Sequence, residues 1–376
     1  MAIMTTITTT DLTHRVAGVR QAMATTDVDA LLITPSADLR YLTGYAATPL
    51  ERLTCLVLPA IGGATLIVPQ LEQPTAAAAN VTALDIEILP WAETEDPYAL
   101  VAARLPDAAR RVAVNNRMWA ERVLALRALL PDAELTLAGP LLRELRMRKT
   151  PAEVEALRRA GQAIDRVHAR MAEWLRPGRT EREVGRDIAD AIIAEGHVVV
   201  DFVIVGSGPH GASPHHELSD RVIQNGDPIV VDIGGILAEG YCSDSTRTYV
   251  VGKPPPQFRD CYRVVQDAQQ AAYEAVKPGV ICEAVDAAAR DLITAAGYGN
   301  YFIHRTGHGI GLEGHEDPYI VAGNDVPLAP GMVFSIEPGI YLSGQHGARI
   351  EDIVVCTENG AERLNNTSRE LLFLGS

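Results

Sequence analysis

One segment of this 376-residue chain recurs later in the same chain at a constant offset of 101 residues. Leu175–Gly196 and Val276–Gly297 each contain a Pro-Gly turn, an amphipathic helical pattern and a terminal glycine. Beyond them, Gly-Ser-Gly at 206–208 falls opposite Gly-His-Gly at 307–309. Helix-ending glycines are common in α/β proteins, so one match alone would carry little weight. The ordered series of matches predicts that the second part of the chain is one domain built from two similar halves.

The residues before the repeat alternate short apolar runs with helical stretches, separated by proline or glycine. The predicted strands are Val28–Thr34, Thr54–Leu58, Ala64–Val68, Ile86–Leu89 and Arg111–Val114, and the predicted helices are Tyr98–Leu105 and Trp119–Leu130. At residues 150–153, Thr-Pro-Ala-Glu matches a capping box and begins a helix whose apolar residues run from Val154 to Leu175. We therefore predict an α/β (α+β) fold of two domains, residues 1–146 and residues 147–376.

The charge balance and the cysteine pattern exclude several classes of protein. The chain has 33 Lys and Arg against 48 Asp and Glu, a net charge of −15, so we expect it to bind neither nucleic acid nor an anionic membrane. It has no apolar run long enough for a membrane helix, and its first residues lack the basic leader and apolar core of a secretory signal. The five cysteines are scattered without a CxxC pair, which argues against a disulfide framework and a cysteine zinc site. We expect a soluble, reduced, cytoplasmic protein.

Each half of the repeat carries two acidic residues on or beside apolar runs. Asp232 and Asp244 lie in the first half, and Glu337 and Glu351 lie in the second. The glycine-containing stretch between the members of each pair predicts a hairpin, which would bring their carboxylates together. Buried ionised carboxylates need a cation or hydrogen bonds, or they take up a proton.

Divalent cations are the simplest partners for four converging carboxylates. Only Arg247 and Arg349 lie close to them in sequence, which is too few to neutralise four acids. His308, in the segment HRTGHGIGLEGHE, adds an imidazole to the set. Four carboxylates and one imidazole suit two hard or borderline divalent ions with room left for water. Two such ions can hold a hydroxide nucleophile and polarise a carbonyl, which indicates a hydrolase.

The segments that carry these five residues resemble the metallopeptidases of the pita-bread fold, and within that fold the Xaa-Pro dipeptidases (prolidases) and Xaa-Pro aminopeptidases. They read VVDIGG, GYCSDSTRT, HRTGHGIGLEGHE, SIEPGIY and ARIEDIVV. The resemblance is strong over residues 145–376 and looser in the N-terminal part, where it includes Ser36–Tyr45. It implies a small creatinase/prolidase-like α/β domain over residues 1–146, followed by a pita-bread catalytic domain with an internal pseudo-two-fold repeat over residues 147–376.

The resemblance also implies which residues hold the metal ions. Asp232 would hold one ion, His308 and Glu337 would hold the other, and Asp244 and Glu351 would hold both. Two divalent ions per subunit are expected, with manganese preferred over cobalt or zinc, in a homodimer.

Further catalytic roles follow from the same resemblance. In similar enzymes, residues at the positions of His215, His304 and His315 contact the substrate or stabilise the tetrahedral intermediate. Arg349 would orient carboxylates or the substrate terminus through its planar guanidinium. Glu337 is the expected general acid/base, because a carboxylate beside the attacking hydroxide can accept its proton and pass it to the leaving nitrogen.

Neighbouring residues have simpler expected roles. Thr246 is expected to donate a hydrogen bond to a ligand carboxylate, as metal sites commonly require. We expect Tyr341 to pack, with a contact at the rim of the site as the alternative, and Asp201 to have a structural role rather than one at that rim. His210 and His216 are expected to be loop residues rather than catalytic ones.

Two features depart from the family pattern. The spacing between Asp232 and Asp244 is one residue longer, and the turn at residues 236–240 absorbs the extra residue, so both ligands should be retained. Some proline dipeptidases carry an arginine shortly after the His-Glu motif to hold the substrate carboxylate, whereas this chain has Tyr319 near that point. The second departure keeps the aminopeptidase alternative open.

The leading hypothesis is a dinuclear-metal peptidase that hydrolyses Xaa-Pro bonds, with dipeptides as substrates, through a hydroxide that bridges the two ions. A small Xaa-Pro peptide is the expected partner, because general peptidases fit an imide bond badly. The near alternative is an Xaa-Pro aminopeptidase acting on longer peptides. Creatinase-like amidine hydrolysis does not need the five ligands, and a non-catalytic pita-bread module that binds peptides or proteins usually lacks several of them. The complete set therefore disfavours both.

Overall fold

The structure is a computed structural model, and it describes residues 7–79 and 81–374. The expectation that no secretory leader is present falls partly on residues 1–6, outside the described residues. The chain forms two compact units, Ile7–Arg146 and a second unit that begins at Met147. Across the described ranges, every helix is too short or too polar to cross a bilayer. The cysteines Cys55, Cys242, Cys261, Cys282 and Cys356 are buried free thiols.

The first unit is a six-stranded mixed sheet with helices. The described helices are α1 Thr9–Thr26, α2 Ala37–Thr43, α3 Gln73–Ala78, α4 Pro97–Ala103, α5 Ala120–Leu129 and α6 Gly139–Met147. The strands are β1 Ala30–Ile33, β2 Cys55–Pro59, β3 Ala64–Pro69, β4 Ile86–Trp91, β5 Arg111–Val114 and β6 Glu134–Leu137, in the order β4-β3-β2-β1-β5-β6. Strand β2 runs antiparallel to β1 and β3, and the other pairs are parallel.

The strands and helices predicted for this unit are confirmed, with ends that differ by at most two residues. The central strands β1, β2 and β3 are buried along their whole length, which is why they are continuous apolar runs in the sequence. The sequence prediction missed β6, Glu134–Leu137. This strand lies at the edge of the sheet and is only partly buried, so it lacks such a run.

The second unit contains two sheets, a separate hairpin and several helices. Its described helices are α7 Pro151–His168, α8 Met171–Trp174, α9 Glu181–Ala194, α10 Phe258–Ala275 and α11 Cys282–Ala295. Its strands are β7 Val199–Ser207, β8 Pro228–Ile236, β9 Ser245–Val251, β10 Gly307–Gly309, β11 Glu316–Ile320, β12 Val333–Ile336, β13 Gly339–Leu342, β14 His346–Arg349, β15 Asp352–Thr357, β16 Gly360–Arg363 and β17 Leu372–Leu374. The sheet orders are β17-β9-β8-β7 and β11-β10-β12-β15-β16, and β13 pairs with β14.

The internal repeat is confirmed in three dimensions. Helices α9 and α11 begin and end at the offset found in the sequence. Before each helix, Gly178 and Gly279 adopt φ of 90° and 85°, a conformation that favours glycine. Their amides donate to the carbonyls of Ile223 and Leu328, at 3.0 and 2.8 Å, so equivalent turns make equivalent contacts.

The helix predicted to begin after Thr150 does so, and the capping box between Thr150 and Glu153 is formed. It ends at His168, however, instead of continuing to Leu175. Arg170 leaves helical geometry, and the short helix α8 follows. The apolar pattern continued past this break because α8 and Leu175 bury their apolar side chains in the same core as α7.

Candidate metal centre

Hairpin-like pairing of strands brings each pair of predicted acidic ligands together. In the first half, Asp232 lies on β8, and Asp244 immediately precedes β9, which pairs with β8. In the second half, Glu337 follows β12 and Glu351 precedes β15, which pairs with β12. The hairpin of β13 and β14 lies between the second pair in sequence. The predicted approach of each pair is therefore confirmed, with an additional hairpin in the second half.

The five predicted ligands form one cluster, which we call the five-residue cluster: Asp232, Asp244, His308, Glu337 and Glu351. Their ligand atoms form overlapping groups whose members lie within 4.8 Å of one another. His308 Nε2 lies 3.1 Å from Glu337 Oε1 and 3.6 Å from Asp244 Oδ2. The cluster lines a cavity of about 790 Å³. Residues from both halves thus converge on one small volume.

The carboxylates of the cluster differ in how readily they ionise. Burial, and then the charges of Glu351 and Asp232, raise the pKa of Asp244 well above its usual value. Burial, and then the charges of Glu337 and Asp232, do the same to the pKa of Glu351. Burial also opposes the ionisation of Glu337, but a hydrogen bond from His308 and its charge lower the pKa of Glu337 below its usual range. The protein alone therefore cannot stabilise all four negative charges.

The unpaired atoms of the cluster fit divalent cations. Among the described residues, Asp232 Oδ1 and Glu351 Oε1 are buried without a hydrogen-bond partner. A buried carboxylate oxygen without a partner is costly, so a ligand for it is expected. His308 Nδ1 faces the carbonyl of Gly309 at 3.1 Å, and because a carbonyl only accepts, the proton of the neutral ring lies on Nδ1. In that neutral ring, His308 Nε2 presents a lone pair to the cluster, as a metal ligand must, whereas an Nε2 that carries a proton donates to Glu337 instead.

Side chains around the cluster hold its carboxylates in place. Thr246 Oγ1 donates to Glu351 Oε2 at 2.7 Å, which confirms the predicted contact. Arg349 Nη2 donates to Asp232 Oδ2 at 2.7 Å, and Arg349 Nε donates to Thr246 Oγ1 at 3.1 Å. The guanidinium of Arg349 is buried and its hydrogen bonds go to protein groups, so Arg349 orients Asp232.

Tyr341 belongs to this network, so it does more than pack, and its hydroxyl contacts two polar side chains beside the cluster. Arg349 Nη1 donates to Tyr341 Oη at 2.7 Å, and Tyr341 Oη lies 2.8 Å from His304 Nε2. His304 Nδ1 lies 2.6 Å from the carbonyl of Arg305, which can only accept. The proton of neutral His304 is therefore on Nδ1, and Tyr341 donates to Nε2. With both ring nitrogens engaged, His304 is placed to orient neighbouring groups rather than to donate directly.

The other two predicted histidines also line the cavity. His215 is exposed on its wall. The ring of His315 lies 3.8 Å from that of His308. Burial, and then the charge of His308, lower the pKa of His315 to about 4, so its ring is neutral at neutral pH. Arg305 Nη2 donates to His315 Nδ1 at 3.1 Å, which leaves the His315 proton on Nε2 as a donor.

Arg305 is a cavity residue that the sequence prediction missed. Its guanidinium lies 4.4 Å from the ring centroid of Tyr319 and contacts His315. Tyr319, predicted to lie near the point where some relatives hold the substrate carboxylate, therefore packs beneath an arginine. In the sequence Arg305 follows His304 directly, which placed it near the site but did not show that it lines the cavity. The cavity wall also includes the apolar side chains Phe202, Ile204 and Ile303.

His216 lies in a loop, as predicted, but His210 lies in the short 3₁₀ helix Gly208–Ala212, and both contact Glu181. No local pattern marked Glu181 as more than a helix-capping acid. The equivalent position in the repeat holds Cys282, and the structure shows that both side chains are fully buried.

Comparison with known proteins gives a consistent result. The model of metallopeptidase family M24 matches residues 155–358, and the creatinase/prolidase N-terminal domain matches residues 15–148. A probable dipeptidase PepE from Mycobacterium tuberculosis is 53% identical over 96% of each chain. An Xaa-Pro dipeptidase from Lactobacillus delbrueckii subsp. lactis is 37% identical, covering 92% of this chain and 95% of the relative. The crystal structure of a prolidase from Thermococcus sibiricus superposes with a TM-score of 0.91 at 38% identity, covering 97% and 99% of the two chains.

Proposed function

This chain belongs to metallopeptidase family M24 and is a metal-dependent hydrolase of pita-bread fold, and on that basis we propose that it hydrolyses Xaa-Pro dipeptides with two divalent cations. One observation carries the proposal: four carboxylates and an imidazole converge in one cavity, with two buried carboxylate oxygens lacking a partner among the described residues. The names of the relatives, a probable dipeptidase and an Xaa-Pro dipeptidase, support the substrate class.

The grouping of ligand atoms supports a specific assignment of the five ligands. Glu351 lies within reach of both Asp232 and the pair of His308 and Glu337, and Asp244 also belongs to two groups. We therefore propose that Asp244 and Glu351 hold both cations, Asp232 holds one, and His308 and Glu337 hold the other. Manganese is the proposed ion, with cobalt or zinc as alternatives, since oxygen-rich sites accept several divalent metals.

The chemistry divides between the cations and the side chains. When bound, the two cations supply an activated water nucleophile and polarise the scissile carbonyl. Glu337 is the proposed general acid/base, because an ionised carboxylate beside that water can accept a proton from it. The Nε2–H of His315 is available to donate to the developing oxyanion. His304, engaged by Tyr341, helps to hold the network that orients Arg349.

The first expected result concerns metal removal. Chelation should abolish the release of proline from an Xaa-Pro dipeptide, and added Mn²⁺ or Co²⁺ should restore it. Proline release is measured before chelation, after chelation and after reconstitution, and a dipeptide without proline is the control substrate. Cleavage that resists chelation, or no cleavage of any Xaa-Pro substrate by the metal-loaded protein, would rule out the proposal. A metal-loaded protein that binds peptides without cleaving them would favour the non-catalytic alternative.

Arg305 is the proposed partner of the substrate carboxylate. Arg349 already donates to Asp232. Arg305 lines the cavity, and its guanidinium contacts His315 and Tyr319 within the part of the chain that the structure describes. A charge-assisted hydrogen bond contributes about 1.5–3 kcal/mol, so Arg305→Ala should lower kcat/KM for a free dipeptide by about 10- to 100-fold. The same variant should change cleavage of the C-terminal amide much less.

This comparison also separates the dipeptidase from the aminopeptidase alternative. Wild-type protein is compared on an Xaa-Pro dipeptide, its amide and a peptide extended beyond proline, and Arg186→Ala, an exposed arginine on α9, is the matched control. Equal losses on all substrates would show that Arg305 does not bind the carboxylate. Faster cleavage of the extended peptide would favour the aminopeptidase.

The homodimer and the cytoplasmic location remain predictions. Light scattering on the purified, metal-loaded protein would test the first, and fractionation of cells that express the full chain would test the second.

A further inference from the structure

A second cluster of polar side chains lies outside the five-residue cluster. It centres on Glu181, the first residue of α9, whose side chain has no exposed surface. His210 Nδ1 and His216 Nε2 lie 3.1 and 2.7 Å from its carboxylate oxygens. One carboxylate and two imidazoles are donor types that also bind transition metals, so the composition of this second cluster would suit a cation.

The hydrogen bonds of Glu181 argue against a cation at this second cluster. Its Oε1 accepts from the amide and the hydroxyl of Ser207, at 2.8 and 2.6 Å, and its Oε2 accepts from Ser219 Oγ at 2.5 Å. Within the described ranges, neither oxygen lacks a partner, in contrast to two oxygens of the five-residue cluster. Burial alone would raise the pKa of Glu181, but hydrogen bonds from Ser207 and Ser219 lower it to about 2. The carboxylate is already satisfied.

The partners of the Glu181 carboxylate all belong to one continuous segment, residues 207–219. Ser207 and Ser219 are its two ends, and His210 and His216 flank its middle, residues 213–215, which lines the cavity of the five-residue cluster. The carbonyl of Pro214 accepts from Arg349 Nη2 at 3.3 Å, which joins the middle of the segment to the cluster. One carboxylate therefore holds the ends of a segment whose centre forms the cavity wall.

We propose that Glu181 is a positioning residue that holds residues 207–219 so that His215 faces the five-residue cluster. The inference rests on the proposed function, because His215 can act only if this cavity is where hydrolysis occurs. Glu181 touches neither the cavity nor the cluster, so its effect on the reaction passes through the segment. A displacement of about 1 Å in an active site can lower a rate about 100-fold.

The first test replaces one carboxylate by an amide of the same size. Glu181→Gln keeps the side-chain volume but removes the charge that several donors share. We expect kcat to fall about 10- to 100-fold, KM to change less and the content of bound metal to stay at the wild-type value. Hydrogen exchange of the amides in residues 207–219 should become faster. Glu183→Gln is the matched control, since Glu183 lies in the same turn of α9 and its carboxylate bonds Thr180; it should leave both kcat and exchange in the segment unchanged.

The second test asks whether Glu181 acts through His215. The double variant Glu181→Gln/His215→Asn should be no slower than His215→Asn alone, whereas a merely structural role would multiply the two losses and overturn the proposal. Loss of bound metal in Glu181→Gln would also overturn it, because the second cluster would then be a metal site. If Glu181→Gln does not fold, Ser219→Ala removes one of the hydrogen bonds and should have the same effects at smaller size. If the wild-type protein cleaves no Xaa-Pro substrate, the proposed function fails, but the exchange measurement still decides whether Glu181 holds the segment.

Discussion

Replacing Asp244 with asparagine is expected to lower kcat/KM for an Xaa-Pro dipeptide by about 1,000-fold, which corresponds to about 4 kcal/mol of activation free energy. Asp244 is a proposed ligand of both cations, and its carboxylate lies in two of the overlapping ligand groups. A neutral amide is a weaker ligand for hard divalent cations, so bound metal should also fall. Steady-state kinetics and elemental analysis of the purified variant measure the two effects.

The same substitution is expected to stabilise the metal-free protein. Burial, and then the charges of Glu351 and Asp232, raise the pKa of Asp244 well above its usual value. A carboxyl with a raised pKa in the folded state costs no stability below its unfolded pKa of about 4, and destabilises the fold as pH rises through the folded pKa. In the presence of chelator, Asp244→Asn should therefore raise the free energy of unfolding at pH 7 by on the order of 1 kcal/mol, and the gain should vanish towards pH 4.

Denaturant unfolding at several pH values, with chelator present, measures this stability. Asp267→Asn, on the exposed side of α10, makes the same chemical change at a carboxylate that is not buried and should show neither effect. An Asp244→Asn variant that keeps its metal and its activity would contradict the ligand assignment. A metal-free variant that is less stable at neutral pH would contradict the argument from charge repulsion.

Replacing Glu337 with glutamine should lower kcat by about 1,000-fold, within the range of about 100- to 10,000-fold typical of general acid–base catalysis. The amide can still offer an oxygen to a cation, but it cannot accept a proton. KM should therefore change much less than kcat, and part of the bound metal should be retained. Glu337 also accepts from Ser335 Oγ at 3.0 Å, a contact that the amide oxygen can keep.

Parallel measurements of kcat, KM and metal content separate proton transfer from metal binding. Glu358→Gln, in the exposed turn between β15 and β16, is the matched control and should behave as wild type. A rise in KM at constant kcat would assign Glu337 to substrate binding instead. A complete loss of metal would show that Glu337 is needed as a metal ligand, and its role in proton transfer would then need a second variant. The pH dependence of kcat for a reconstituted Glu337→Asp variant would show whether this side chain transfers the proton.

Much of the fold follows from local patterns in the sequence. Strands buried on both faces are continuous apolar runs, and a capping box marks the start of α7, so these elements are encoded within a few residues. The repeat extends this reasoning, because two turn–helix segments at a fixed offset imply two similar halves. Strand β6 and the break after His168 were missed because an edge strand is half exposed and because burial can continue across a helix end.

The order of amino acids was enough to predict the fold class and the five residues of the cluster, because each of these residues lies in its own motif and buried acids need a partner. How the side chains around them are used depends on the packing of the folded chain. Arg349 meets Asp232 across 117 residues, and Glu181 meets Ser207 across 26. Hydrogen bonds between residues far apart in sequence depend on how the strands and loops pack. The local sequence around each residue does not contain that information. For this reason the roles of Tyr341, Arg305 and Glu181 became visible only in the folded protein.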